Sequence, residues 1–255
     1  MPKISACIIS LNEEGKIGDC LESLKPVVDE IILVDSNSTD KTVEIASKYT
    51  EKIFTQDFLG YVEQKQYAVS KAENDWILSL DCDERLSPEL QASILAAKDS
   101  LGQRDAYRMP RKTFYVYRWL NHCWYPGYKV RLFNKKSCRW GGADPHDHVV
   151  VDGDKIGALQ SDILHYSYDS FSQHLQTIEK FTDIAARDLI ERGRRVNILT
   201  PLTHACWIFI KLYILKRGFL DGFAGLCVAV LSYVHVFVKY AKVLMRQKRG
   251  EAPPS

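Results

Sequence analysis

Short apolar runs alternate with helical patterns over the first hundred residues, and this alternation constrains the fold more than any other feature. Residues 4–10, 30–34 and 76–80 are rich in the apolar and β-branched side chains typical of buried strands. The segments with helical spacing are residues 15–24, 42–49, 61–71 and 88–97. Strands separated by helices favour a mostly parallel sheet with helices on its faces. The predicted fold class is therefore α/β.

Each of these predicted strands ends in polar residues. Asn12 and Glu13 follow the first strand, Asp35 ends the second, and Asp81 and Asp83 follow the third on either side of a cysteine. In open α/β sheets, ligands bind in the crevice at the carboxyl ends of the strands, so we expect the three polar loops to meet there.

The Asp81-Cys82-Asp83 segment carries the most chemistry. In an extended chain, alternate side chains point the same way, which predicts that Asp81 and Asp83 share one face. Two such carboxylates repel each other unless a cation lies between them, and their hard oxygens suit Mg²⁺ or Mn²⁺, ions that usually accompany a diphosphate. The alternative is that one aspartate caps the helix predicted from Pro88 while the other is solvated.

Asp35 lies still within its strand, where helix capping is geometrically awkward. A carboxylate at this place can accept a hydrogen bond from a base N–H or a ribose hydroxyl. Asp40, five residues later, is better explained as a cap of the following helix.

Four segments in order resemble the nucleotide-binding half of family 2 glycosyltransferases, which have the GT-A fold. They are CIISLNEE, IILVDSNSTDKT, GYVEQKQYA and WILSLDCDERL. Near the C-terminus, YILKRGFLDGFAGL (213–226) and VKYAK (238–242) resemble a bacterial subgroup, the lipopolysaccharide inner-core β-glucosyltransferases. The resemblance implies an inverting transfer of a sugar from a nucleotide diphosphate donor to an acceptor hydroxyl, and it does not fix the sugar. We expect a uridine diphosphate sugar, UDP-glucose, as the donor and a lipid A core heptose as the acceptor.

The same resemblance implies roles for individual residues. It makes Asp35 the nucleoside contact and Asp83 the direct metal ligand, with Asp81 nearer the ribose or behind the metal. The loop from Ser10 through Asn12 to Glu13 would line the base, and Lys65 would approach the diphosphate. In some GT-A enzymes a late histidine reaches the metal or diphosphate, which makes His165 a further metal candidate, although a lone histidine ending an apolar stretch is more often a packed residue.

The reaction needs a base that takes the proton of the attacking hydroxyl. The family has a carboxylate after a glycine-rich turn beyond Asp-x-Asp, and here that region is WGGADPHDHV (140–149). Asp147 is the predicted base. Asp144 is the alternative, although its place before a proline suits a turn. A zinc site at 146–148 is a weaker interpretation, since no cysteine or third histidine is spaced nearby.

An aromatic segment between the metal motif and the base, residues 108–131, suits a sugar or lipid-linked sugar acceptor. Its candidate acceptor-binding residues are Arg111, Trp119, Trp124, Tyr125 and Arg131.

The C-terminal part is apolar and basic. Residues 199–250 contain eight lysines and arginines against Asp221 alone, whereas residues 1–198 carry a net charge of −4. This asymmetry predicts contact with an anionic membrane surface rather than nucleic acid. Residues 219–238 are long enough to span a bilayer, but Asp221 and nearby glycines favour a segment lying in the interface. A spanning hairpin and a buried oligomer interface are the second and third interpretations.

These observations predict four segments. Residues 1–166 form the GT-A catalytic domain, with a nucleotide-sugar half (1–100) and an acceptor half (101–166). Residues 167–198 contain an amphipathic helix, residues 199–248 associate with the membrane, and residues 249–255 form a disordered end.

Seven cysteines without Cys-x-x-Cys spacing indicate a reducing compartment. The predicted location is the cytoplasmic face of the bacterial inner membrane, and the sequence leaves the oligomeric state open. A non-catalytic nucleotide-sugar-binding scaffold and an enzyme acting on a polyprenyl phosphate are the rival interpretations.

Overall fold

The computed structural model describes residues 1–142, 147–153 and 155–250. The chain forms two compact units. The first contains Met1–Lys112 and Gly127–Tyr166, and the second contains Thr113–Pro126 together with the chain from Ser167 onward.

Thirteen strands are present in the described residues: β1 (Ile4–Ser10), β2 (Glu30–Asp35), β3 (Ile53–Thr55), β4 (Trp76–Ser79), β5 (Glu84–Leu86), β6 (Ala106–Met109), β7 (Arg111–Tyr115), β8 (Arg118–Trp119), β9 (Lys129–Asn134), β10 (Cys138–Gly141), β11 (His148–Val151), β12 (Ile156–Ala158) and β13 (Ile163–Tyr168). The α-helices of the same residues are α1 (Ile17–Leu24), α2 (Thr42–Ala46), α3 (Tyr61–Lys71), α4 (Pro88–Ala97), α5 (Phe171–Glu191), α6 (Thr200–Phe209) and α7 (Gly222–Lys248).

A seven-stranded sheet organises the first unit, in the order β12-β6-β9-β4-β1-β2-β3. Strands β4, β1, β2 and β3 are parallel to one another, while β9 runs antiparallel between β4 and β6. The predicted α/β class is confirmed, and the predicted strands and helices of the first hundred residues are present with small shifts at their ends. The antiparallel strand β9 was not predicted. The prediction used strands that alternate with helices, and β9 follows other strands rather than a helix.

Helices cover both faces of this sheet. Alternate residues of β1 contribute to the two hydrophobic clusters on either side: Ile4, Ala6 and Ile8 belong to one, and Cys7 belongs to the other. Burial on both faces explains why the strands are continuous apolar runs rather than alternating patterns.

The register of the parallel strands determines where the polar loops lie. Ser10 and Asp35, the last residues of β1 and β2, are paired neighbours in the sheet. Strand β4 lies on the other side of β1. Its last residue, Ser79, pairs with Cys7, three residues before the end of β1. The segments that follow these strands therefore leave the sheet at the same edge.

The second unit is mainly helical. Helix α5 begins after Ser170, whose Oγ accepts a hydrogen bond from the Gln173 N–H at 3.1 Å, and it ends before Gly193, which has a φ of +67°. Helix α6 continues as a π-helical segment (Ile210–Leu215), and a short 3₁₀ segment (Gly218–Asp221) leads into α7. The strands β7 and β8 form an antiparallel hairpin in this unit.

Candidate functional site

The Asp35 carboxylate is held at the end of β2 by hydroxyl and amide donors. Ser10 Oγ donates to Asp35 Oδ1 at 2.7 Å, and Ser38 contributes its Oγ at 2.6 Å and its backbone N–H at 2.8 Å. Asp35 is only 2% exposed. The structure thus orients this carboxylate with three donors, and it does not act as a helix cap.

The loops after β1 and β2 are joined to each other. Asn12, with a φ of 54°, donates its backbone N–H to Ser38 Oγ at 2.8 Å and accepts from the Thr39 N–H at 2.8 Å. The Glu13 N–H donates to Thr42 Oγ1 at 2.7 Å. The predicted nucleotide-binding residues Ser10, Asn12, Glu13 and Asp35 therefore lie in one connected group of loops.

The Asp-x-Asp segment is not extended. After Leu80 the chain turns, the Glu84 N–H bonds to the Asp81 carbonyl at 2.9 Å, and β5 starts at Glu84 to pair with β13. The expectation that Asp81, Cys82 and Asp83 form an extended segment was therefore wrong, and strand alternation does not set the directions of the two carboxylates. The two carboxylates have separate sets of partners.

Asp81 is the centre of an ion cluster. Its Oδ1 lies 2.7 Å from Lys65 Nζ, and its Oδ2 lies 2.5 Å from Arg131 Nη2. Arg131 Nη2 also lies 2.9 Å from Glu84 Oε1, and Arg111 Nη1 reaches the same oxygen at 3.1 Å. Both Asp81 oxygens are thus engaged by cations, which disfavours Asp81 as a direct metal ligand.

The electrostatics of this cluster favour ionised acids. Burial alone would raise the pKa of Asp81, but Arg131 and Lys65 outweigh it and hold that pKa well below its ordinary value. The pKa of Glu84 is also lowered: burial and the Asp81 charge raise it, while Arg131 and Arg111 lower it by more. These acids therefore remain negative at neutral pH, and they compensate a buried arginine.

Lys65 connects two predicted site residues that are 66 positions apart in sequence, Asp81 and Asp147. Its Nζ lies 2.7 Å from Asp147 Oδ2 as well as 2.7 Å from Asp81, and it sits 4.6 Å from the centre of the Trp140 ring. The Lys65 side chain is 5% exposed, so it is not a solvated surface lysine. The predicted base thus lies beside the Asp-x-Asp motif.

Asp83 has a different neighbour. Its Oδ2 lies 3.2 Å from His165 Nε2, and the two side chains are 27% and 12% exposed. Within the described residues no group of three or more His, Cys, Asp or Glu side chains is arranged to hold a metal. A magnesium or manganese ion that shares a site with a diphosphate needs few protein ligands, because phosphate oxygens and water complete its shell. The Asp83 carboxylate oxygen and the His165 ring nitrogen, on partly exposed side chains, are donors that fit such an ion.

The structure describes one of the three residues considered in the glycine-rich region. Asp147 is described and its side chain is 14% exposed. Asp144, the alternative base, and His146, one of the residues considered for zinc, lie outside the described residues.

The residues predicted to bind the acceptor do not form one set. Arg111 is partly exposed, but Arg131 is 4% exposed and its guanidinium points into the ion cluster, so it does not face an acceptor. The remaining three, Trp119, Trp124 and Tyr125, belong to the second unit. There Trp124 packs edge-on against Tyr115, with ring centres 6.2 Å apart, which indicates a core contribution.

Sequence reasoning did not identify Glu84 or the inward role of Arg131. Glu84 is 0% exposed and its Oε2 accepts from the Asp81 N–H at 3.1 Å, so it also shapes the turn. The signal in the sequence that could have identified Glu84 is its position directly after Asp-x-Asp. Nothing in the local pattern indicates that an arginine in an apolar strand, β9, pairs with it.

Comparison with known proteins identifies the family. The model of the family described as "Glycosyl transferase family 2" matches residues 5–145, more than half of the chain. An uncharacterized glycosyltransferase of Rickettsia typhi is 34% identical over 260 residues, covering 95% of this chain and 87% of the relative. The lipopolysaccharide core biosynthesis glycosyltransferase LpsC of Rhizobium meliloti is 28% identical, covering 99% of this chain and 97% of the relative.

Among solved structures, S. aureus TarS (1–349) in complex with UDP-GlcNAc matches with a TM-score of 0.50 and 15% identity, covering 97% of this chain and 92% of that chain. At this identity the match concerns the fold alone, and it agrees with the GT-A architecture of the sheet and its covering helices. Together with the family match and the relatives, the fold leads to one conclusion: the chain is a glycosyltransferase that belongs to glycosyl transferase family 2.

Proposed function

We propose that this glycosyltransferase transfers glucose from UDP-glucose, with inversion, to a heptose hydroxyl of a lipid-linked saccharide of the lipopolysaccharide inner core. Two observations carry the proposal: Asp35 and the Asp-x-Asp segment lie where parallel strands end at one edge of the sheet, and Lys65 joins Asp81 to Asp147. The acceptor class is supported by the C-terminal resemblance and by the name of the LpsC relative, a lipopolysaccharide core biosynthesis glycosyltransferase.

The nucleoside is bound at the end of β2. Asp35, oriented by Ser10 and Ser38, accepts hydrogen bonds from the nucleoside, and the Asn12–Glu13 loop lines the base. Because the carboxylate is already oriented before the donor arrives, binding does not have to order it.

Asp83 and His165 would hold a Mg²⁺ or Mn²⁺ ion. When bound, the ion supplies positive charge that stabilises the departing diphosphate. Asp81 does not ligate the ion in this proposal; with Arg131 and Glu84 it fixes the turn that presents Asp83. Lys65 adds a buried positive charge next to this turn.

Asp147 takes the proton of the attacking hydroxyl. Lys65 bonds to Asp147 Oδ2 and thereby orients the carboxylate. A carboxylate held in one orientation is positioned to take the proton of the acceptor hydroxyl.

The acceptor is lipid-linked, so the enzyme acts at the cytoplasmic face of the inner membrane. Residues 199–248 provide the membrane contact in this proposal. Their positive net charge complements anionic headgroups.

The test uses purified full-length protein, UDP-glucose and a heptose-containing lipid A core acceptor. We expect transfer that depends on Mg²⁺ or Mn²⁺, loss of transfer and of metal-dependent UDP binding in Asp83→Asn, and loss of transfer with intact UDP binding in Asp147→Asn. Asp75→Asn is the matched control, because the Asp75 side chain is 43% exposed and forms an ion pair with an exposed lysine.

Each alternative has its own outcome. Full turnover of Asp83→Asn with Mn²⁺ would refute the metal site, and full turnover of Asp147→Asn would refute the base. Transfer to a polyprenyl phosphate in place of the heptose would refute the acceptor. UDP binding without any release of UDP from the donor would indicate a scaffold.

A further inference from the structure

The helix formed by α6 and its π-helical continuation, residues 200–215, has two apolar sides. Pro201, Ala205 and Leu212 face the interior of the second unit. The opposite side is also apolar: Trp207 is 57% exposed, Ile210 is 43% exposed and Ile214 is 51% exposed. These residues are spaced three or four apart and therefore form one stripe along the helix.

This stripe is part of a larger exposed surface. We use the name apolar patch for the large side chains exposed between residues 199 and 223. They are Leu199, Leu202, Trp207, Ile210, Ile214, Leu215, Phe219, Leu220 and Phe223. Nine large apolar residues exposed within 25 positions are far more than scattered surface hydrophobics, and a concentration of this kind marks an interaction surface.

The charges around the apolar patch have one sign. From residue 192 to residue 250 the sequence contains eleven lysines and arginines and a single acid, Asp221. Asp221 is 0% exposed, and its carboxylate accepts hydrogen bonds from the backbone N–H groups of residues 121, 122 and 123. Every exposed charge of this segment is therefore positive, including Lys211 within the patch and Arg217 beside it. This charge suits an anionic partner.

The length of the helix excludes a crossing by the patch itself. Sixteen residues at a rise of about 1.5 Å extend roughly 24 Å, which is shorter than the roughly 30 Å hydrocarbon core of a bilayer. A basic helix with one exposed apolar side instead lies in the plane of the interface.

Helix α7 with the 3₁₀ segment before it, Gly218–Lys248, is the one described helical stretch that is long and apolar enough to cross a membrane. It is, however, joined to a charged helix. Lys242 Nζ lies 3.0 Å from Glu179 Oε1 and 2.9 Å from Asp183 Oδ1, both on α5. If α7 crossed the bilayer in this arrangement, α5 and its exposed acids would be carried toward the hydrocarbon, at high cost.

We propose that the apolar patch docks in the plane of an anionic lipid bilayer, while α7 stays on the protein side as a support. This narrows the membrane contact of the proposed function from residues 199–248 to the apolar patch, and it gives the mode of binding. It rests on that function only for the location of the acceptor, because lipid binding is measured without turnover.

The experiment is co-sedimentation of the full-length protein with vesicles. We expect binding to phosphatidylcholine vesicles that contain phosphatidylglycerol and much weaker binding to phosphatidylcholine alone. The triple variant Trp207→Glu, Ile210→Glu, Ile214→Glu should remain in the supernatant, and its unfolding transition should be retained because the three side chains are exposed. Lys211→Gln with Arg217→Gln should weaken binding by about 10- to 30-fold.

Two variants serve as controls. Leu59→Glu replaces an apolar residue that is 64% exposed in the first unit, and Val230→Glu adds a charge in the middle of α7 at a position 43% exposed. Both should bind vesicles like the wild type.

Three results would overturn the proposal. The first is a triple variant that binds like the wild type. The second is loss of binding in Val230→Glu equal to or greater than the loss in the triple variant, which would indicate that α7 inserts. The third is a triple variant that changes only the molecular mass in light scattering, which would assign the patch to contact with a second copy of the chain. Asp83→Asn should lose transfer but still sediment, so failure of the proposed function and failure of docking are distinguishable.

Discussion

Replacement of Arg131 by methionine tests the ion cluster behind the Asp-x-Asp turn. Arg131 is 4% exposed, and its Nη2 lies 2.5 Å from Asp81 and 2.9 Å from Glu84. Methionine has a similar length and fits an apolar strand, so the main loss is charge rather than packing volume. The substitution leaves Glu84, which is 0% exposed, with Arg111 as its remaining cationic partner.

The expected magnitude follows from this geometry. Removing one partner of a buried ion pair costs about 3–5 kcal/mol, because the other charge stays buried without compensation. Arg111 still neutralises part of Glu84, and Lys65 still pairs with Asp81, so we expect the lower end, about 3 kcal/mol. Against a typical domain stability of about 5–15 kcal/mol, the variant should fold but unfold at clearly lower urea concentration.

Arg139→Met is the matched control for this measurement. Arg139 pairs with Asp152 on the surface, where both side chains are more than half exposed, and such pairs contribute less than about 1 kcal/mol. Equal losses of unfolding free energy in Arg131→Met and Arg139→Met would refute the reasoning. The double variant Arg131→Met, Glu84→Leu should recover part of the loss, because it removes both buried charges.

Three further predictions concern other residues. Asp221→Ala should lower the unfolding free energy by about 3 kcal/mol or more in urea, since three backbone donors lose a buried acceptor, and a loss no larger than that of Asp188→Ala on the surface of α5 would contradict this. Burial lowers the pKa of His174 to about 4 from its ordinary 6.5, so the unfolded chain binds more protons between these values; stability should fall as pH drops from 6.5 toward 4, and His174→Phe should remove that part of the dependence in pH-series melts. Lys65→Met should lower kcat by about 100-fold through loss of a positioned charge, measured as UDP release, whereas Lys71→Met at the end of the same helix should leave kcat unchanged.

Much of the local structure could be predicted because the information lies in neighbouring residues. The apolar runs became β1, β2 and β4, and the helical spacing of residues 61–71 and 88–97 became α3 and α4 with the same ends. Ser170 and Gly193 marked the limits of α5 through capping chemistry that acts within one turn. The position of the candidate site followed from the same reasoning, since parallel strands present their ends at one edge.

Arg131 shows where such reasoning stops. In the sequence it is one of several cations in an aromatic segment, and a cation there suits an acceptor. In the fold, β9 inserts antiparallel between β4 and β6, and this places the guanidinium beside Asp81 and Glu84. A local sequence pattern cannot predict that Arg131 pairs with acids about 50 residues earlier in the chain.

The sequence by itself determined the secondary elements of the nucleotide-binding half, the family, and the carboxylates Asp35, Asp81 and Asp83 as candidates, because strand and helix periodicity and short motifs are local properties of the chain. Only the tertiary structure decided which charges meet: Lys65 with Asp147, and Asp83 with His165, each across 82 positions. It also decided that Asp221 is buried as an acceptor for a distant loop and that one side of α6 stays exposed. Long-range pairing and burial depend on how the elements pack together, and the spacing of residues along one element does not contain that information.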